Sequence, residues 1–277
     1  MVFLSIPAVQ TRIAKMVTNR INEDFGTDIR VDRLGLNWKG EIDIREVFIA
    51  DHKGDTLISI NRLSTRIRSV RNLLNDNLDF GDIRLRGTHF YITTYPDELD
   101  HNLDIFLAKF DSDKPPSDKV FQLYASRILI EEGRFRVADL NEEDPIAVQF
   151  RDLFMDVQNF LIYNEDISTR IDHLSLKADQ GYQIGDLQGV YCYNSERMTL
   201  DDMLLTTDHS QIKGNLAMDY SANGMQDFKN NVILTADLRD SRVSTNDIRV
   251  FYDEFGSDID ILVQGQLNGT LNTCLLY

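Results

Sequence analysis

The chain is short of the residues from which most active sites are built. It holds only two cysteines and five histidines among its 277 residues. Cys192 and Cys274 supply neither a disulfide framework nor metal-ligand spacing, so two unrelated, partly buried thiols are expected, a disulfide being the alternative. His52, His89, His101, His173 and His209 are scattered, with no i, i+4 pair and no HExxH or CxxC. Asp111 and Asp113 lack the glycine and distal glutamate of a calcium loop, and no metal site is expected. The GxSxG elbow, the GxGxxG turn and the GxxxxGK[ST] loop are all missing. Glu142 to Asp144, Asp201–Asp202 and Asp253–Glu254 fall in turns or at element ends, where carboxylates are solvated. Neither a catalytic residue nor a cofactor is expected.

Long apolar runs are also absent. Met1 to Pro7 is apolar but far short of the about 20 residues that span a bilayer, and it lacks the basic start and cleavage site of a signal peptide. Met1 to Ile6 reads as the last turn of a membrane anchor, and 7–277 as a β-rich body cut short at its C-terminal side. A fresh alternation is still running from Gly265 to Leu271, close to Tyr277. The net charge of −16 repels phosphate backbones and anionic lipid head groups, and nucleic acid is not an expected partner. An apolar share of 42% with 27% charged residues is that of a folded chain.

What the sequence does contain is periodicity. Ile6, Val9, Ile13, Val17, Ile21 and Phe25 form a helical stripe, opened by Pro7 and closed by Gly26. The period then switches to two at Ile29, Val31, Leu34, Leu36 and Trp38. Alternation predicts strands over 29–37, 41–50, 56–69, 78–87, 88–95, 120–131, 133–140, 146–160, 167–178, 181–193, 198–207, 210–220, 230–240 and 258–271. Turns are expected at Asp51 to Asp55, Glu131 to Gly133 and Asn141 to Pro145. Ile83, Leu85, Phe90 and Ile92 rhyme in spacing with Ile128, Ile130, Phe135 and Val137, which suggests a repeated hairpin with a tight reversal in each copy. Short helices are expected over 70–77, around Leu103, Phe106, Leu107 and Phe110, and around Ile248, Phe251, Tyr252 and Phe255. The stretch 111–118 reads as an exposed loop.

The second half carries the clearest two-faced pattern. Ile212, Leu216 and Met218 share one parity, Val232, Leu234 and Leu238 another strand's, and Ile261, Val263 and Leu267 a third's; their neighbours are polar. Such a face must be hidden, either in a closed core or as an apolar trough on a sheet that curls. These nine residues are the candidate groove-lining set. The fold class expected is mainly β: an N-terminal amphipathic helix capping an elongated, curled antiparallel sheet, open or taco-like, with a few short helices.

Several blocks carry a resemblance. Ser5 to Leu36 (SIPAVQTRIAKMVTNRINEDFGTDIRVDRLGL), DHKGDTLI from Asp51, NLLNDNLDFGDIRLRG from Asn72, NLDIFLAKFD from Asn102, QIKGNLAMDY from Gln211 and NDIRVFYDEFG from Asn246 resemble the N-terminal region of TamB-like translocation and assembly proteins. These belong to the wider AsmA-like group, and the likeness is to the form found in Bacteroidota. The resemblance implies an inner-membrane anchor, a periplasmic body of curled β-structure lined with apolar residues, and no catalysis. It also implies a part in outer-membrane biogenesis: phospholipid transfer between the two membranes, assembly or secretion of outer-membrane proteins, or both. Phospholipid acyl chains and an outer-membrane assembly protein are the partners implied. The alternative is a scaffold that engages such a partner by strand addition without carrying lipid.

Overall fold

The computed structural model describes residues 18–36, 41–67, 77–110, 121–141, 143, 146–179, 181–220, 228–249, 256–270, 273 and 275–276. Helix α1 occupies 18–25 and leads into the sheet. The first strands are β1 (Asp28–Leu36), β2 (Glu41–Ala50), β3 (Thr56–Ile67) and β4 (Asn77–Thr94). Helix α2 (Asn102–Leu107) and a 3-10 turn (Ala108–Phe110) follow. Next come β5 (Gln122–Asp139), β6 (Ile146–Tyr163), β7 (Asp166–Ala178), β8 (Gln183–Tyr193), β9 (Arg197–Thr207) and β10 (Gln211–Asp219). Short α3 (Phe228–Asn231) precedes β11 (Ile233–Ser244), and α4 (Thr245–Ile248) precedes β12 (Asp260–Gly269) and β13 (Leu275–Leu276). The expected helix over 70–77, the loop 111–118 and most of the helix around Phe251 lie outside the described residues.

All 13 strands form one open sheet in strict sequence order, with β1 and β13 at its two edges. Every neighbouring pair is antiparallel except β4 and β5, which run parallel. That pair corrects the expected reading of the rhyme. Strands over 78–87 and 88–95 are one continuous β4, and those over 120–131 and 133–140 are one continuous β5. The two rhyming sets lie side by side, Ile83 opposite Ile128, Leu85 opposite Ile130, Phe90 opposite Phe135 and Ile92 opposite Val137. The rhyme is a parallel register, with α2 in the crossover that a parallel pair requires.

What looked like reversals are left-handed residues inside continuous strands. Glu132 has φ 57° and Gly87 φ 63°, in the middle of their strands. Glu46 (φ 54°), Asp152 (φ 53°), Asp202 (φ 50°) and Asp240 (φ 45°) do the same in β2, β6, β9 and β11. Each moves the apolar parity from even to odd or back, so both halves of a strand keep their apolar side chains on the same face. The register shifts beside Glu132, Asp152, Asp202 and Asp240, as in a bulge, and runs unbroken past Glu46 and Gly87. Gly214 in β10 is a position where only glycine fits: its φ is 150°, and a Cβ there would stand 2.0 Å from the Asp237 carbonyl oxygen.

The core sits on this one apolar face. Ile83, Ala125, Ile128, Ile130, Val157 and Ile171 make its centre, none more than 8% exposed. A second cluster joins Leu57, Ile92 and Phe106 of α2, with Ile49, Ile58 and Phe135 packed around it. Phe25 of α1 meets the crossover, its ring 5.1 Å from that of Phe110 and 5.6 Å from that of Phe121. The C-terminal end of the opening helix therefore packs on the crossover, and Asn22 bonds the Ile29 backbone at the start of β1. Cys192, expected partly buried, is a free and exposed thiol, because its neighbours Tyr191 and Tyr193 take the apolar parity of β8 and turn it to the polar side. Cys274 lies outside the described residues.

Candidate functional surface

The apolar face is continuous from one side of the sheet to the other. Direct cross-strand pairing runs Leu34, Ile44, Leu63, Leu85, Ile130, Met155, Leu174, Leu187, Leu205, Ile212, one residue from each of ten strands. At a strand spacing of about 4.8 Å this row is roughly 43 Å long. A second row, Leu78, Leu123, Ile162, Ile167, Tyr193, Met198, Met218, Leu234, carries the face from β4 to β11. Residues directly opposite in adjacent strands touch, so each row is a ribbon of aliphatic and aromatic contact.

Cover along this face is uneven. Towards β1–β5 it carries α2 and the Phe25, Phe110 and Phe121 cluster. Across β8–β12 the apolar side chains are half-buried, with Met203 at 8% and Ala236 at 7% exposed among the few that are fully shielded. Ile261 is 39% exposed on β12.

Eight of the nine residues expected to face lipid fall in this less covered part, and Val232 is the exception. Ile212 stands opposite Leu205, Leu216 between Leu200 and Ala236, and Met218 between Met198 and Leu234. Leu238 stands between Gly214 and Gly265, and Leu267 opposite Ala236. Val263 faces Ser241 and Ile261 faces Val243, on the same side, because the bulge at Asp240 flips the parity of β11. Val232 lies just before β11 and is 0% exposed. Met198, Leu200, Met203 and Leu205 belong to the same surface and were not singled out in the sequence. Their parity changes at Asp202, which hides the alternation unless a bulge is allowed.

One end of the covered region is locked by a polar cluster. Asn102, 1% exposed, accepts from the Thr93 N–H at 2.9 Å and donates to Asp51 Oδ2 at 3.0 Å and to the Tyr91 carbonyl at 3.1 Å. Tyr95 Oη donates to Asp51 Oδ2 at 2.7 Å, and the Lys53 and Asp55 N–H groups donate to Asp51 Oδ1. Burial alone would raise the Asp51 carboxyl. The hydrogen bonds from Asn102, Tyr95 and the two backbone N–H groups outweigh it and hold the carboxyl below its ordinary value. Burial, with Asp51 and Asp55 alongside, pushes the Tyr95 hydroxyl far upward. Neither group is poised to exchange protons near neutrality. The cluster ties the β2–β3 turn to the start of α2, and so holds the crossover helix on the apolar face.

At the other end, burial pushes the Tyr191 hydroxyl up to about 12, and it donates to Met198 Sδ at 3.2 Å. Tyr220 Oη donates to the Asn194 carbonyl at 2.8 Å. These tyrosines present rings to the surface and keep their hydroxyls occupied.

Among the described residues, no group of three His, Cys, Asp or Glu side chains could hold a metal ion. No described helix is long and apolar enough to cross a membrane. No protein-family model matches the chain, and comparison with curated proteins finds no match.

Proposed function

We propose that the chain is a non-enzymatic module of outer-membrane biogenesis whose apolar strand face shelters phospholipid acyl chains between the inner and outer membranes. The observation that carries this reading is the half-buried apolar face of β8–β12, continuous by register with rows across β1–β7 in which Leu34, Leu78 and Ile130 are buried and the rest half-buried. The resemblance to TamB-like proteins of the AsmA-like group supplies the setting: an inner-membrane anchor, a periplasmic body and a curled, trough-like sheet. Exposing an acyl chain to water costs about 0.8 kcal/mol per CH₂, so a sixteen-carbon chain faces a barrier on the order of 10 kcal/mol. A continuous apolar ribbon lowers that barrier along its whole length while the head group stays in water. Mid-strand bulges bend strands in general, and their presence in β5, β6, β9 and β11 supports this reading.

The test is direct. Protein prepared without detergent should carry phospholipid detectable by mass spectrometry. Leu234→Asp or Val263→Asp should release it while circular dichroism stays unchanged. Absence of lipid, with photo-crosslinkers at Leu216 and Leu267 capturing only protein, would sink the reading.

A second reading is favoured by one specific feature. β12 pairs with β13 only at Leu267 and Asn268, leaving the outer edge of Asp260 to Gln266 without a strand among the described residues. Leu262 on that edge is 83% exposed. An outer-membrane assembly partner adding a strand there would make the chain a scaffold. Under this reading, replacing Leu262 or Gln264 with proline abolishes partner capture, and lipid content is irrelevant.

A further inference from the structure

The opposite, polar face of the sheet holds a depression of about 1050 Å³ spanning β1–β5. It is lined by small residues such as Gly35, Ser64, Gly81 and Ser126, by five arginines (Arg62, Arg66, Arg84, Arg86 and Arg127) and by four carboxylates (Glu41, Asp43, Asp82 and Glu131). We propose that this depression binds an anion carrying two or more phosphate groups, gripped by Arg62, Arg66, Arg84 and Arg86. The proposal is independent of what the apolar face carries.

Three observations converge on it. First, Arg33, Arg45, Arg62 and Arg86 stand directly opposite one another in β1, β2, β3 and β4. Like charges in directly opposed positions oppose sheet formation, so a row of four needs counter-charge. Two of the four, Arg62 and Arg86, line the depression, and three carboxylates pair with the row and its neighbour Arg66: Asp43 lies 2.6 Å from Arg62 and 3.8 Å from Arg45, Glu132 2.7 Å from Arg86, and Glu41 2.9 Å from Arg66. Secondly, β1–β5 contain ten arginines and no lysine against ten carboxylates, whereas β6–β12 contain seven cations against eleven carboxylates. In a chain of net charge −16, the depression lies in the sheet's least acidic part. The exclusive use of arginine matters, because its planar fork grips phosphate oxygens in pairs and lysine cannot.

Thirdly, the guanidiniums are available. Arg62, Arg66, Arg84 and Arg86 have side chains between 53% and 63% exposed. Their partners are surface carboxylates, and such pairs exchange readily for a better anion. Arg84 sits 3.8 Å from Glu131, a loose pair that a phosphate oxygen can displace. Gly35 and Gly81 leave room for an anion to approach the backbone: a Cβ at either would meet nothing closer than a carbonyl oxygen at 3.5 Å.

Inorganic pyrophosphate titrated into the whole chain by calorimetry at low ionic strength should bind saturably, one per chain. The double variant Arg62→Lys with Arg86→Lys keeps the charge and loses the forks, and affinity should fall at least about tenfold. Arg239→Lys, on the polar side of β11, should bind as the parent does. Circular dichroism of each variant checks the fold. Absence of saturable heat, or a double lysine variant that binds as well as the parent, would overturn the site. Co-sedimentation with phosphatidylcholine vesicles containing cardiolipin identifies the source of the phosphates. Parent protein that pellets and is released by pyrophosphate points to a membrane head group. Parent protein that binds pyrophosphate but does not pellet points to a soluble anion.

Discussion

The two ends of one apolar face differ in what is laid over them. Around β4–β7, Ile130 is 2% and Val157 1% exposed, and to the β1 side of them α2 lies on the sheet, fixed by Asn102. Around β10–β12, Leu216, Met218, Leu234 and Leu267 lie on the same face and are half-buried, as Leu85, Met155 and Leu174 are, but without a comparable fully buried cluster beside them. The residue types are alike in both regions. The difference lies in cover, and cover is what separates a core from a surface that can take a ligand.

The largest expected break in that comparison comes from truncating matched positions. Ile130→Ala should cost about 2 to 5 kcal/mol, the range for opening a cavity in a packed core. Leu216→Ala, on the same face of β10, should cost well under half of that, since water already reaches it. Urea unfolding of both variants measures the gap. Equal losses would mean that β10 is as much core as β5, and would weaken the lipid reading with it.

Asn102→Ala should come next, at about 1 to 3 kcal/mol, because it strands the Thr93 N–H and removes a donor from Asp51. It should also loosen α2 selectively. Hydrogen exchange should speed up at Leu103 to Leu107 before it does in β8–β12. Uniform acceleration would show that the cluster is general stabilisation and no clamp.

A pH series separates two carboxylates with opposite signs. Asp51 is held below its ordinary value in the fold, so its contribution is complete above the unfolded value and is lost as pH falls through the folded one. Burial raises Asp104 on α2, more than His101 lowers it. Its contribution is therefore complete below the unfolded value and is lost as pH rises through the folded one. Asp104→Asn should stabilise the chain near neutrality, and Asp51→Asn should destabilise it there and flatten the acid limb. Unfolding midpoints from about pH 3 to about pH 7 would show both.

Much of this architecture was legible from residues. The helix ending at Gly26, the α2 face of Leu103, Phe106 and Phe110, and the strands from Gln211 onward follow from periods of 3.6 and two. The connectivity of β4 and β5 was not. Gly87 and Glu131–Glu132–Gly133 have turn composition, and a left-handed residue serves a reversal and a continuous strand equally well. Only long-range pairing decides between them. The depression on the polar face was invisible for the same reason: Arg33, Arg45, Arg62 and Arg86 are an unremarkable scatter until register aligns them.

The smallest expected effect is at Leu262. It points to the polar side of β12, opposite in parity to Ile261 and Val263, and is 83% exposed. Leu262→Ser removes little contact in the folded chain, so stability should move by no more than about 0.5 kcal/mol. The contrast with Val263, one residue along, isolates the apolar face from the strand edge. If Val263→Ser releases lipid and Leu262→Ser does not, the ligand rides on the face. If Leu262→Ser alone weakens capture of a partner, the edge is the working surface and the scaffold reading takes precedence.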